Sequence, residues 1–149
     1  MLLHNCTHYN PSPLTKTHSL SNAQGNTLFH VDSSFNPRRA SYSLLRVAEL
    51  PPPGTRGGNT EFADSRTAFD ELPEGLKNQL IQNDYVAAHS LWQSRKLASP
   101  EAFRDVEPLD YYISRHKLIQ MHEVSGRLNL YIAAHVHHIE GLPAAESER

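Results

Sequence analysis

The feature that most limits how this chain can fold is a pair of alternating apolar runs that face each other across a short turn. In "HKLIQMHEVSGRLNLYIAA", Ile119 and Met121 alternate with Gln120 and His122 before Glu123-Val124-Ser125-Gly126, and Leu128 and Leu130 alternate with Arg127 and Asn129 after it. A repeat of two puts successive side chains on opposite faces of a strand, and a glycine-containing connection joins such runs as an antiparallel hairpin. A hairpin alone leaves two unpaired edges, so further strands are needed. Candidates are "NTLFHVDSSF" up to the break at Pro37, "SYSLLRVAEL" (41–50), "TEFAD" (60–64), "DYVAAHSLW" (84–92) and "AHVHHIEGL" after the hairpin. Triple proline 51–53 and Gly54, Gly57 and Gly58 separate the early strands from the middle of the chain by turn chemistry.

Helical signals are shorter. Asp64 or Ser65 can cap a helix that puts Ala68, Phe69 and Leu72 on one face. Pro73 suits the start of a second, with Leu76, Leu80 and Ile81 as its stripe. "SPEAFRDVEPLDYY" reads as a loop with a helical turn after Ser99, and Pro143 opens a final helix, "PAAESER". Strands, helices, strands, hairpin and helix in that order give an α+β, β-rich chain rather than an alternating βαβ one. A length of 149 residues with 38% hydrophobic content supports a folded body, and the polar residues 1–26 read as a loosely packed arm before a domain at 27–149. The formal charge of −2 offers no electrostatic case for nucleic acid or an acidic membrane surface. No stretch has the apolar length of a membrane span, and "MLLHNCTHYNPSP" lacks the pattern of a signal peptide. Cys6 stands alone, so no internal disulfide forms; these readings favour a cytoplasmic setting.

Ten histidines invite a search for metal ligands. His30 and Asp32 stand two apart, so on a strand both point to one face, and Leu28, Phe29 and Phe35 would partly exclude water from a centre there. A metal would neutralise the aspartate; the competing reading is a surface strand whose Asp32 and Ser33 start a turn. Near the C-terminus "HVHH" would put His135 and His137 on one strand face and His138 on the other, as a zinc site or as a polar strand end. His89, His116 and His122 read as structural or peripheral, and Cys6 has no neighbouring base to activate it.

The stretch "FHVDSSFNPRRASYSLLRVAELPPPGTRGGNTEFADSRTAFDELP" and the hairpin "RHKLIQMHEVSGRLNLYIAAHVHHIEGL" resemble, in order, motifs of the taurine/2,4-dichlorophenoxyacetate dioxygenase family (TauD/TfdA), on the 2,4-dichlorophenoxyacetate side with its fungal relatives. The resemblance implies a partial double-stranded β-helix, a jelly roll of the clavaminate synthase-like kind, with short helices. It implies dependence on Fe(II), 2-oxoglutarate and O2, with ascorbate as reductant, and hydroxylation of a small carboxylate- or sulfonate-type substrate. Residue by residue, it assigns His30 and Asp32 to the metal, Thr60 of "GGNT" to 2-oxoglutarate, and Ser34 and His135 to the vicinity of the substrate. The family's usual tryptophan before the histidine is Phe29 here. The family's distal metal histidine and its 2-oxoglutarate arginine belong to segments expected beyond Arg149, so the chain is expected to lack the closing strands. Open sheet edges would then favour oligomers or aggregation. The alternatives are a catalytically inactive remnant that acts as a binding partner, and a histidine-rich metal-binding module.

Overall fold

The computed structural model describes Leu2–Cys6 as backbone, and residues 28–50, 52–54 and 60–147 in full. Seven short strands form three antiparallel sheets among these residues. Strand β1 (Leu2–Cys6) pairs with β2 (Thr60–Asp64), Leu2 opposite Asp64 and Cys6 opposite Thr60. The central sheet is ordered β4-β3-β7, with β3 (Val86–His89) between β4 (Ser114–Lys117) and β7 (Val136–Ile139). The hairpin pairs β5 (Ile119–His122) with β6 (Arg127–Leu130), Ile119 opposite Leu130. Its turn needs a left-handed residue, and Gly126 supplies it with φ at 65°.

Four α-helices, α1 (Ser65–Asp70), α2 (Glu74–Asn83), α3 (Leu91–Ala98) and α4 (Ala144–Ser147), and a 3-10 turn (Pro108–Asp110) complete the described fold. Asp64 caps α1 by accepting from the Arg66 amide, and the Arg66 guanidinium grips both carboxylate oxygens at 2.8 and 2.7 Å. That guanidinium holds the Asp64 carboxyl far below the usual carboxylate range. Phe69, the buried apolar residue of α1, is worth roughly 2 kcal/mol by area removed from water. The main core is small: Ala87, Leu118 and Ile139, with Leu80, Tyr85, Ile119, Leu130, Val136 and Leu142 packed on it.

Four expectations are corrected. Leu2–Cys6, read as part of a loose arm, is a strand, because β2 offers an edge whose backbone groups need partners; the rest of 1–26 lies outside the described residues. Of the strand expected over 26–35, the described residues 28–35 keep a single bridge residue, His30, followed by a turn over Asp32–Phe35, and Ser33 there has φ at 62°. "SYSLLRVAEL" is irregular and exposed throughout, because no neighbouring strand pairs with it among the described residues. Strand β3 stops at His89, since the Ser90 hydroxyl accepts from the Trp92 amide and starts α3, a helix that "LWQSRKLA" does not announce by apolar alternation. No helix among the described residues is long and apolar enough to cross a membrane.

Candidate metal centre

His30 and Asp32 meet although they share no strand face. The Asp32 turn, closed by Ser34 N–H donating to the Val31 carbonyl at 3.3 Å, folds the carboxylate back toward the imidazole. His30 Nε2 then lies 3.4 Å from Asp32 Oδ1. Two donors in adjacent positions on one metal, each bonded at about 2.1 Å, are separated by about 3 Å. The pair is therefore close to the spacing that a divalent metal needs.

Second contacts support the same use. His30 Nδ1 faces the Leu28 carbonyl at 3.0 Å; a carbonyl only accepts, so Nδ1 donates there and Nε2 is the ring nitrogen turned toward Asp32. Asp32 Oδ2 accepts from Ser43 Oγ at 2.6 Å, which orients the carboxylate. Asp32 also lines a cleft of about 870 Å³ with Arg39, Tyr42, Phe62, Arg66 and Tyr131 among its walls. The donor set thus fits two positions of a divalent-metal site. Among the described residues no group of three or more His, Cys, Asp and Glu side chains completes one.

The other expected site residues fall around this pair. The Ala134 amide donates to the Phe29 carbonyl at 3.0 Å and so brings the end of the hairpin segment beside His30. His135, expected on strand β7, lies instead in the turn before it, buried, with its ring centroid 6.0 Å from that of His30 and 5.0 Å from Phe35. Burial pushes its pKa down to about 4, the His30 charge adding to the effect and Asp32 opposing it. Ser34 is fully buried, and its hydroxyl makes no hydrogen bond of normal geometry. Thr60 begins β2, and strand alternation places its side chain on the same face as Phe62 in the cleft wall. His137 and His138 stand apart from the pair, their Nδ1 atoms 2.9 Å from each other, and His122 bonds Ser125 Oγ in the hairpin turn. Ser43, Ser114 and His116 were not picked out as site residues by sequence; their roles depend on tertiary contacts for which no local pattern exists.

Residues 4–149 match the family described as "Taurine catabolism dioxygenase TauD, TfdA family". The chain belongs to the TauD/TfdA family. The alpha-ketoglutarate-dependent 2,4-dichlorophenoxyacetate dioxygenase of Burkholderia sp. (strain RASC) is 42% identical over 123 residues, 81% of this chain and 39% of that protein. The (S)-phenoxypropionate/alpha-ketoglutarate-dioxygenase of Sphingobium herbicidovorans is 36% identical over 132 residues, 85% of this chain and 44% of that one. Among solved structures, AAD-2 in complex with Mn(II) and N-oxalylglycine superposes with a TM-score of 0.70 at 35% identity, over 83% of this chain and 47% of that one. The chain thus spans less than half the length of these TauD/TfdA relatives.

Proposed function

We propose that this chain carries the His30–Asp32 part of an Fe(II)- and 2-oxoglutarate-dependent dioxygenase built on a double-stranded β-helix, with residues 27–149 as its domain. The observation that carries the reading is the 3.4 Å approach of His30 Nε2 to Asp32 Oδ1, with Nδ1 committed to the Leu28 carbonyl. Family membership and a neighbour solved with Mn(II) and N-oxalylglycine support it. Iron with 2-oxoglutarate would supply the activation of O2 for hydroxylation of a C–H bond, with ascorbate as reductant. Relatives named for phenoxy acids favour a small carboxylate-bearing substrate; the sulfonate option is carried by the family description, which names taurine.

In this reading each residue has one task. His30 offers Nε2 to the metal and keeps its ring plane through Leu28. Asp32 offers one oxygen while Ser43 holds the other. The Thr60 hydroxyl donates to a carboxylate of 2-oxoglutarate. Ser34 and His135 stand on the substrate side, where His135 stays neutral at pH 7 because burial opposes its protonation. The His135 ring beside His30, itself backed by Phe35, shields that flank of the pair from water. A third protein donor completes a facial triad, and the described residues do not supply one. We place this chemistry in the cytoplasm, without nucleic-acid or membrane partners.

The test is anaerobic difference absorption of the chain with Fe(II), titrated with 2-oxoglutarate. A 2-oxoglutarate-dependent band is expected in the wild type, absent in Asp32→Ala and weaker in Thr60→Val. Spectra that ignore 2-oxoglutarate, or are the same in Asp32→Ala, overturn the reading.

A further inference from the structure

The segment that carries Asp32 has almost no ladder of its own. From Asp32 to Ser43 it is turn, bend or irregular backbone, exposed from Asn36 onward. Ser33 holds a left-handed φ that serine adopts at a cost, so the turn does not owe its shape to local preference. Its position must come from a few tethers to the sheets.

The strongest tether lies on the central sheet. Ser114 and His116 are alternate residues of β4, so both side chains point to the same face. Ser114 Oγ donates to the Ser34 carbonyl at 2.6 Å. His116 Nε2 reaches that same carbonyl at 2.8 Å and the Asn36 carbonyl at 3.2 Å. Both partners are carbonyls, so Nε2 must carry the proton. The His116 ring packs edge-on against both His89, centroids 5.2 Å apart, and Tyr131, 5.5 Å apart, and those two rings also touch each other, so the three form a triangle. His89 is buried and lies opposite Ser114 in the β3–β4 register, so the ring cluster is anchored on the central strand of the sheet. Tyr131 also carries the Arg39 guanidinium at 4.7 Å, and Arg39 in turn donates to Gln120 Oε1 at 2.7 Å. The ligand-bearing loop is thus pinned at Ser34 to one sheet and at Arg39 to the hairpin.

We infer that His116 and Ser114 are positioning residues of the metal site: they hold the Asp32 turn by its Ser34 carbonyl and so set where the carboxylate meets His30. The inference rests on the metal reading of His30 and Asp32 and names two residues that serve it without touching the metal. Loss of such an outer contact typically weakens metal affinity roughly 10- to 100-fold.

Two substitutions separate the hydrogen bond from the packing. His116→Gln keeps a donor near the Nε2 position and removes the ring; His116→Phe keeps the ring and removes the donor. Mn(II) affinity of the whole chain is measured by calorimetry, and amide exchange at Ser34 and Asn36 is followed without metal. Those amides bond Val31 and Ser33 inside the turn. The expected result is that His116→Gln stays near wild type, while His116→Phe and Ser114→Ala each bind Mn(II) roughly tenfold or more weakly. Exchange should rise at Ser34 and Asn36 in those two variants and stay unchanged in the β5–β6 hairpin. The reverse order, with Phe near wild type and Gln impaired, overturns the inference in favour of ring packing. Unchanged turn exchange in His116→Phe also overturns it. If the wild type binds no Mn(II), the metal reading falls, and the exchange data alone decide whether the latch exists.

Discussion

His89 is the most exacting test of the central sheet. It is buried in β3, neither ring nitrogen has a hydrogen-bond partner among the described residues, and burial pushes its pKa down to about 3 from 6.5, with charges on His116, His135 and Arg39 adding to the effect. The unfolded chain takes up a proton near pH 6.5 and the folded one does not, so this group's contribution is fully present above pH 6.5. It is lost as pH falls below that value and levels off near the folded pKa. Between pH 8 and pH 5 the loss is about 2 kcal/mol, and any folded value below about 4 gives nearly the same figure. His89→Phe removes the titration while keeping an aromatic ring against His116 and Tyr131. The larger ring can cost about 1–3 kcal/mol by overpacking, but that cost is the same at both pH values and cancels. Urea unfolding of wild type and variant at pH 8 and pH 5 gives the double difference. The wild type should lose about 2 kcal/mol more than the variant over this interval. Equal losses in the two proteins would refute the claim that His89 is held neutral by burial.

Ser90→Ala removes the cap on α3, where Ser90 Oγ accepts from Trp92, and should cost about 1 kcal/mol, a fall in Tm of about 2–4 °C by thermal melt. Leu44 and Leu45 are almost wholly exposed in an unpaired apolar segment, alongside exposed Tyr42 and Val47. The wild type should self-associate with rising concentration in sedimentation velocity, and Leu44→Ser with Leu45→Ser should shift it toward monomer; a monomer at all concentrations would refute this.

Legibility followed the reach of the interaction. The hairpin and the start of α1 could be read because they are local: alternation around a Gly126 turn in one case, an Asp64 cap in the other. The segment 41–50 was misread because an apolar run looks the same whether or not a partner strand covers it. Helix α3 was missed because Leu91 and Trp92 extend the apolar run of β3; the Ser90 cap was the signal that separates the two. His30 and Asp32 do approach each other, but a turn and not a shared strand face brings them together. Local pattern did not place His135 near His30, only the family resemblance did, and the bonds of His116 to the turn were illegible, because contacts between residues so distant in the chain leave no local pattern.

The central claim is that His30 and Asp32 form two adjacent donors to one divalent metal. Mn(II) titration of the full chain, followed by electron paramagnetic resonance of the free ion, tests it most directly. Wild type should take up Mn(II), His30→Ala and Asp32→Ala should each weaken uptake roughly tenfold or more, and His137→Ala, which lies outside the pair, should bind as wild type does. Equal uptake by wild type, His30→Ala and Asp32→Ala, or a loss confined to His137→Ala, would contradict the account.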